Sequence, residues 1–147
     1  MHVVSGRLYV PYHNWYGKAA NYFFSKLKEG KFVGIRCGKC DVVYMPPRSI
    51  CGRCLSSLDE WVELPDEGEL MTYTIVQYDY TTPFHSYQPL KPPYILGIIK
   101  LDGASTGLCH FIGEVEPKDV KIGMRLKAVL REERKGEILD IKYFRPI

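Results

Sequence analysis

Four cysteines form two pairs with identical spacing, Cys37 with Cys40 and Cys51 with Cys54. Two residues separate the cysteines within each pair, and ten residues separate the pairs. Two C-x-x-C turns at this distance can present four thiolates at the corners of a tetrahedron, which is the geometry of closed structural zinc sites. The spacing therefore predicts a zinc ribbon with these four cysteines as metal ligands.

The chemistry of such a site is limited, because four protein thiolates leave the metal no open position for a reactive water. We expect a metal that stabilises the fold and does not catalyse a reaction. Iron in a rubredoxin-like site is an alternative, since thiolate tetrahedra accept both metals. Four buried or disulfide-bonded cysteines are a further alternative. Gly38 and Gly52, one inside each pair, are expected to allow the tight turns.

Composition places this site in a small globular protein. The chain has 147 residues, of which 46% are hydrophobic, which suits one ordinary domain or two small ones. A ribbon of about thirty residues cannot fold on an apolar core alone, so the metal is expected to supply much of its stability. No apolar run reaches the roughly 18 residues of a membrane span, and the start lacks a signal-peptide layout. We expect a soluble protein of the reducing cytoplasm, where the unpaired Cys109 is unexceptional.

Charge is divided unevenly along the chain. Residues 1–60 contain nine Lys and Arg against four Asp and Glu, whereas residues 61–147 contain eleven against thirteen. A nucleic-acid module concentrates positive charge on its binding domain. The distribution therefore argues mildly against a nucleic-acid strand bound around residues 61–147.

An N-terminal segment and helix are predicted over residues 1–30, with the helix at residues 15–29, Asn14 as its N-cap and Gly30 as its stop. Apolar and aromatic side chains cover an arc of about 200° when placed at about 100° per residue. This arc fits a helix packed between two elements of its own chain, or an aromatic helix that also docks on a partner protein. The candidate partner-binding residues are Trp15, Tyr16, Tyr22 and Phe23.

The ribbon is predicted over residues 31–64, and from residue 65 the hydrophobic pattern changes to a period of two. The predicted strands are residues 70–80, 94–101, 107–113, 124–131 and 137–144. In the last strand Leu139, Ile141 and Tyr143 are expected to share one face. Five antiparallel strands with a short helical turn near residues 117–123 are most economically closed as an OB-type barrel over residues 65–147, with a five-stranded open sheet as the alternative. The fold class is mainly β with an N-terminal helix.

An ordered set of motifs also carries a family resemblance. The aromatic helix precedes the runs GKFVGIRCGKCDVVYMPPRSICGRC, GELMTYTIV, PPYILGIIKLDG and IGMRLKAVL. Over nearly its whole length the chain resembles acyl-CoA-associated OB-fold proteins with an N-terminal rubredoxin-like zinc ribbon, long described as a domain of unknown function. The resemblance implies a non-catalytic accessory subunit of a thiolase-like or other acyl-CoA-processing enzyme. The only residue roles that the resemblance implies are those of the four paired cysteines, as metal ligands.

The sequence offers no catalytic site of its own. Its histidines, His2, His13, His85 and His110, lie in no recognisable nucleophile or metal constellation. Cys109 and His110 are adjacent in a predicted strand, so their side chains point to opposite faces and cannot pair. Phosphate-binding loops of the G-x-x-x-x-G-K-[ST] and G-x-G-x-x-G types are also absent from the sequence. We therefore expect a protein that is not an enzyme.

A proline-rich loop at residues 81–93 is the most suggestive segment outside the cysteines. It is too long for a plain hairpin and could cover an acyl or pantetheine chain, dock on a subunit, or bind nothing. The candidate ligand-binding residues combine this loop with basic side chains of the later strands: Phe84, His85, Tyr87, Lys91, Arg125, Lys127 and Arg131.

Three functions remain in view from the sequence, the last of them an independent enzyme that acts on CoA esters. The first is an accessory or scaffold protein that binds acyl-CoA or helps to form the acyl-CoA site of a thiolase-like partner. The alternative is a single-stranded nucleic-acid-binding module, since OB-folds serve that role and aromatic side chains can stack on bases. The aromatic candidates for stacking are Tyr73, Tyr78, Tyr80 and Phe84.

Overall fold

The computed structural model describes residues 16–78 and 90–147. In this part of the chain one α-helix precedes eight β-strands and two short 3-10 helices. The elements are α1 (Lys18–Lys28), β1 (Phe32–Arg36), β2 (Val43–Tyr44), β3 (Glu60–Leu64), β4 (Glu67–Val76), β5 (Tyr94–Leu101), β6 (Leu108–Ile112), β7 (Arg125–Leu130) and β8 (Ile141–Pro146), with 3-10 helices at Pro117–Asp119 and Ile138–Asp140.

The first three strands form the ribbon sheet, in the order β2-β1-β3. β1 pairs antiparallel with both neighbours, with Ile35 opposite Tyr44 on one side and opposite Trp61 on the other. The two cysteine pairs lie in the connections that leave β1 and β2, so this small sheet sets their separation. The predicted ribbon is confirmed.

The last five strands close into a barrel in the order β4-β5-β6-β8-β7. β4 pairs antiparallel with β5 and β7, and the parallel pairing of Ile112 with Phe144 joins β6 to β8. This is the predicted five-stranded OB-type barrel, except that β6 and β8 pair in parallel where all pairings were predicted to be antiparallel, and the open-sheet alternative is wrong. The predicted short helical turn is present at Pro117–Asp119.

Ribbon, helix and barrel share one hydrophobic core. Barrel side chains such as Leu70, Leu101 and Phe144 belong to the same buried cluster as Phe32 and Met45 of the ribbon. Apolar burial is the main stabilising term in such a fold, so the parts are not independent packing units. The core therefore extends across the boundary between ribbon and barrel that the sequence predicts at residues 64 and 65. The predicted domain limits stay predictions.

The helix is shorter than predicted. It begins at Lys18, after an N-cap at Gly17 in extended conformation, and not at residue 15 after Asn14. The Asn21 side chain donates at 3.1 Å to the carbonyl of Tyr16, the residue before the N-cap. Residues 14 and 15 lie outside the described residues.

The predicted helix stop at Gly30 is confirmed. Gly30 adopts a φ of +84°, and the N–H groups of Gly30 and Lys31 donate to the Leu27 and Lys26 carbonyls. This is a Schellman motif, in which glycine takes the left-handed position without a Cβ penalty. Within the described residues, no helix is long and apolar enough to cross a membrane.

The fifth predicted strand needs correction. Residues Ile138–Asp140 form a 3-10 turn, and β8 starts only at Ile141. A register shift also occurs where Val129 pairs with Tyr143 and Leu130 with Ile141. Such a bulge reverses the alternation of faces. Ile141 and Phe144 therefore face the interior, and the face predicted for Leu139, Ile141 and Tyr143 is wrong.

Candidate metal centre and barrel groove

The four paired cysteines converge on one point. The sulfur atoms of Cys37, Cys40, Cys51 and Cys54 all lie within 4.8 Å of one another, and those of Cys37 and Cys54 are 3.6 Å apart. Metal–sulfur bonds of about 2.3 Å in a tetrahedron place neighbouring sulfurs about 3.8 Å apart. The sulfur cluster therefore fits a tetrahedral metal, and its four ligands leave no open position.

Two similar turns bring the cysteines together. The Cys37 carbonyl accepts the Asp41 N–H at 2.8 Å, and the Cys51 carbonyl accepts the Leu55 N–H at 3.1 Å. Asp41 and Leu55 follow the second cysteine of their pairs and adopt left-handed φ values of 52° and 60°. From the sequence, the internal glycines Gly38 and Gly52 were expected to allow these tight turns. The residue after each pair takes the left-handed conformation instead.

The centre has a buried side and an open side. Cys37 and Cys51 are buried, Cys40 is half-buried and Cys54 is exposed. Cys51 Sγ lies 3.4 Å from the Tyr44 hydroxyl and accepts the Arg53 N–H at the same distance. Cys54 Sγ lies 3.0 Å from the Ser56 hydroxyl. Polar groups outside the ligand set thus contact sulfurs on both sides.

The thiols differ in acidity when no metal is bound. The hydrogen bond with Cys54, together with burial, raises the pKa of Cys40 to about 12. The Tyr44 hydroxyl, with the N–H groups of Cys54 and Arg53, lowers the pKa of Cys51 to about 5. Cys51 is thus a thiolate at neutral pH, whereas Cys40 must lose a proton when a metal binds.

The basic residues predicted to bind a ligand are not gathered into one free cluster. Arg125 makes a bidentate ion pair with Asp102 at 2.7 and 2.6 Å, and Lys127 contacts Glu67 at 2.9 Å. Lys91 and Arg131 are exposed. Because carboxylates already hold Arg125 and Lys127, these two do not form a free phosphate site. Phe84, His85 and Tyr87 lie outside the described residues.

A groove on the barrel brings Arg131 together with residues that were not predicted from the sequence. It encloses about 310 Å³ between β6, β8 and the segment that joins β7 to β8. The residues that line this barrel groove are Leu90, Phe111, Ile112, Gly113, Arg131, Leu139, Lys142 and Tyr143. The groove is mostly apolar and carries two cations, Arg131 and Lys142. It lies by the third strand and the loop between the fourth and fifth strands, where OB-folds bind ligands.

The predicted partner surface on the helix is only partly available. Tyr16 is 51% exposed, and Tyr22 is 38% exposed but packs against Trp61, with ring centroids 4.2 Å apart and the rings tilted by 40°. Phe23 is 2% exposed and belongs to the shared core, so its assignment to a partner surface is wrong. Trp15 lies outside the described residues. One stripe of α1, formed by Ala19, Phe23 and Leu27, packs inward.

Cys109 and His110 do point to opposite faces of β6, as predicted. Cys109 is exposed, whereas His110 is buried and its Nε2 lies 3.2 Å from the Ile138 carbonyl. Burial lowers the pKa of His110, so the imidazole is neutral at pH 7. The two side chains cannot act as a nucleophile and its base.

One aromatic candidate for base stacking belongs to the fold itself. Tyr73 packs against the core, and its hydroxyl donates to the Val120 carbonyl at 3.1 Å. Tyr78 is 83% exposed, while Tyr80 and Phe84 lie outside the described residues. Of the two candidates that the structure describes, Tyr78 is thus the exposed one.

Family models match both parts of the chain. The rubredoxin-like zinc ribbon domain of ChsH2 matches residues 24–60, and the C-terminal OB-fold domain of ChsH2 matches residues 61–131. A DUF35 domain-containing scaffold protein of Methanocaldococcus jannaschii is 32% identical over 120 residues, or 78% of this chain and 81% of the relative. One from Pyrococcus furiosus is 33% identical over 116 residues, or 75% and 81%.

A probable enoyl-CoA hydratase alpha subunit of Thermomonospora curvata is 25% identical over 85% of this chain, which spans 36% of that subunit. Among solved structures, an Ltp2-ChsH2(DUF35) aldolase chain has a TM-score of 0.66 at 22% identity, covering 91% of this chain and 98% of that one. A DUF35 protein of unknown function from Sulfolobus solfataricus has a TM-score of 0.64 at 25% identity, covering 88% and 84%. The likeness to the aldolase complex shows a shared fold.

Proposed function

Because this chain belongs to the DUF35 family, in which a rubredoxin-like zinc ribbon precedes an OB-fold, we propose that it is a non-catalytic scaffold subunit of an enzyme complex that acts on acyl-CoA thioesters. The observation that carries the proposal is the match to relatives named as scaffold proteins over 81% of their length. The closed thiolate site and the separation of Cys109 from His110 support a role without catalysis.

The metal centre supports the scaffold by fixing the ribbon. The proposed metal is zinc, held by Cys37, Cys40, Cys51 and Cys54. Zinc has no redox chemistry and suits a four-thiolate structural site, while iron is the competitor that the same sulfurs accept. Elemental analysis of protein purified from its native source distinguishes the two metals. Zinc at about one atom per chain supports the assignment, and iron with the visible absorption of a thiolate site contradicts it.

The partner proposed is a thiolase-like or other acyl-CoA-processing enzyme in the cytoplasm. The relative named as an enoyl-CoA hydratase subunit supports chemistry on CoA thioesters, and the motif resemblance supports a thiolase-like partner. Exposed apolar side chains that could contribute to such a contact include Tyr16 on the helix and Ile50 and Leu55 on the ribbon, which are 51%, 55% and 77% exposed.

The barrel groove is the proposed place for part of the acyl-CoA. Its apolar side, including Phe111 and Leu139, suits a pantetheine or acyl chain, and its cations, Arg131 and Lys142, suit phosphate oxygens. A neighbouring hollow shares both cations and adds Glu132, so negative charge is present at one end. In this proposal Arg131 keeps its predicted role, whereas Arg125 and Lys127 are left out because they are held in ion pairs.

Affinity capture tests the scaffold role. The tagged full-length chain is purified from native extract, with and without nuclease, and its companions are identified by mass spectrometry. Recovery of a thiolase or another acyl-CoA enzyme, unchanged by nuclease, is the expected result. Recovery of nucleic acid and its processing proteins, lost on nuclease treatment, would overturn it in favour of strand binding.

A titration tests the groove separately. Acetyl-CoA is added to the captured complex containing wild-type chain, or a chain carrying Arg131→Glu with Lys142→Glu. We expect at least about tenfold weaker binding for the double variant, because two attractive charges become repulsive. Lys118→Glu with Lys121→Glu is the matched control, since these two exposed lysines do not line the groove and their reversal changes the net charge by the same amount. Equal affinities for all three proteins would remove the groove from the proposal.

A further inference from the structure

Tyr44 reaches the metal centre from outside the ligand set. It lies in β2, is 6% exposed, and places its hydroxyl 3.4 Å from the sulfur of Cys51, which is fully buried. The same hydroxyl oxygen accepts the Gly52 N–H at 3.0 Å. Tyr44 is therefore joined to a candidate metal ligand and to the backbone of the turn that carries it.

These two contacts fix the direction of the hydrogen bond to sulfur. A phenol has one O–H donor, and a thiolate ligand has no proton to give. Because the Gly52 N–H already donates to the oxygen, the hydroxyl proton is free to point at Cys51 Sγ. The result is a chain that runs from the Gly52 N–H through the Tyr44 hydroxyl to the sulfur, in which each bond polarises the next.

We propose that Tyr44 is a positioning residue of the metal centre, whose hydroxyl donates to the Cys51 thiolate and so tunes the affinity and electronic character of the site. This role rests on the proposed metal centre and is independent of the partner enzyme. A donor on a buried thiolate offsets part of its negative charge where water does not reach it.

The fold holds the ring in place for this contact. Tyr44 packs in a buried cluster with Ile35, Val42 and Leu58, and the Arg48 guanidinium lies 5.1 Å from the ring centroid. A Cβ at position 52 would lie 3.0 Å from Arg48 Nη1 and 3.5 Å from the Tyr44 hydroxyl. Glycine at position 52 therefore keeps the space that the ring, the guanidinium and the turn share.

The expected size of the effect follows from groups that contact metal ligands in other proteins. Loss of such a partner typically weakens metal affinity by about 10–100-fold. Tyr44→Phe removes the hydroxyl while it keeps the ring that packs in the cluster. The change should therefore alter the metal centre more than the fold.

The test compares Tyr44→Phe with Tyr73→Phe, which removes a hydroxyl bonded to the Val120 carbonyl in the barrel and away from the cysteines. Zinc affinity is measured by competition with a chelator, and the sulfur-to-metal charge-transfer band is recorded after substitution with cobalt. For Tyr44→Phe we expect about 10–100-fold weaker zinc binding. We also expect the band at longer wavelength, because the sulfur lone pairs lose a stabilising donor. Tyr73→Phe should change neither property.

An unchanged cobalt band and zinc affinity in Tyr44→Phe, or equal changes in both variants, would overturn the role of Tyr44. Should Tyr44→Phe not fold, cadmium-loaded wild-type protein supplies a second measurement by NMR. Coupling of ¹¹³Cd to the Tyr44 hydroxyl proton supports the hydrogen bond. Coupling to the Arg53 amide proton, which also reaches Cys51 Sγ, without coupling to Tyr44 contradicts it. Cobalt uptake by the wild-type protein tests whether the metal centre exists. A failure of the proposed centre is therefore distinguished from a failure of the role proposed for Tyr44.

Discussion

Val43 and Ser105 exchange two hydrogen bonds across the junction between ribbon and barrel. The Ser105 N–H donates to the Val43 carbonyl at 2.8 Å, and the Val43 N–H donates to the Ser105 hydroxyl at 3.0 Å. Beside them the Thr106 hydroxyl accepts the Met45 N–H and donates to the Met45 carbonyl, both at 2.8 Å. Through these four hydrogen bonds the β5–β6 loop joins the metal-binding ribbon to the barrel.

Thr106→Val should loosen this junction. The change keeps the side-chain shape but leaves the polar backbone groups of Met45, which is fully buried, without their hydroxyl partner. We expect a loss of about 1–3 kcal/mol in the free energy of unfolding. Urea unfolding of the metal-loaded protein measures it. Thr72→Val, at an exposed position of β4, is the control and should change stability by less than about 0.5 kcal/mol.

The ribbon should depend on its metal through Cys51. Cys51→Ser is expected to reduce the bound zinc from about one atom per chain to nearly none and to unfold the ribbon, because metal binding supplies folding free energy here. Elemental analysis and near-ultraviolet circular dichroism report the two effects. Cys109→Ser, at an exposed cysteine outside the cluster, should match the wild type. Full zinc content in Cys51→Ser would contradict the four-thiolate site.

Gly97 should be required by the barrel interior. A Cβ at this position would lie 2.6 Å from Ile112 Cδ1 and 2.7 Å from Leu70 Cδ1. Gly97→Ala is therefore expected to cost about 1–3 kcal/mol of stability by overpacking. Gly38→Ala is the control, since the atom nearest to the added Cβ, Glu60 Oε2, lies 4.0 Å away and Gly38 does not adopt a positive φ. Thermal unfolding of both variants gives the comparison, and equal stabilities would show that the barrel core adapts without strain.

Asp140 should anchor the segment that joins β7 to β8. Its buried carboxylate accepts the N–H groups of Lys135, Gly136 and Glu137 at 2.9, 2.7 and 3.2 Å. Asp140→Asn replaces one acceptor oxygen by a donor that faces these N–H groups. We expect a loss of about 1–3 kcal/mol at pH 7, measured by denaturant unfolding. Asp119→Asn, at an exposed position, is the control and should have little effect.

The same carboxylate gives the stability a predictable pH dependence. Burial by itself raises the pKa of Asp140, but the three N–H donors outweigh it and hold the pKa below the ordinary 3.8. A depressed folded-state pKa gives stability that is complete above the unfolded-state pKa and is lost as pH falls through the folded value. The difference between wild type and Asp140→Asn should therefore be constant from about pH 5 to 7 and shrink below about pH 4. A difference that grows in acid would contradict this account.

The sequence predicted those parts of the fold that local patterns determine. The spacing of Cys37, Cys40, Cys51 and Cys54 predicted their convergence, because a C-x-x-C turn constrains its own geometry. A nearly continuous run of apolar residues predicted β5 over the same residues that the structure gives it. The helix stop was readable for a similar reason, since Gly30 takes a backbone conformation that other residues avoid.

The parts that failed depend on contacts between distant residues. The bulge where Leu130 pairs with Ile141 changes which β8 side chains face the groove, so Lys142 and Tyr143 were missed as lining residues. The ion pair of Arg125 with Asp102 joins positions 23 residues apart, and no periodic pattern in the sequence indicates such a pairing. Tyr44 and Ser105 were missed because their partners are set by tertiary packing and not by a motif.

The most direct measurement of the scaffold role is the native size of the particle that contains this chain. Gentle extracts are separated by size and each fraction is analysed by quantitative mass spectrometry. We predict that the chain elutes well above the mass of one copy, in constant ratio with an enzyme of acyl-CoA metabolism. Elution as a free single chain, with no co-eluting enzyme at any extract concentration, would contradict the account.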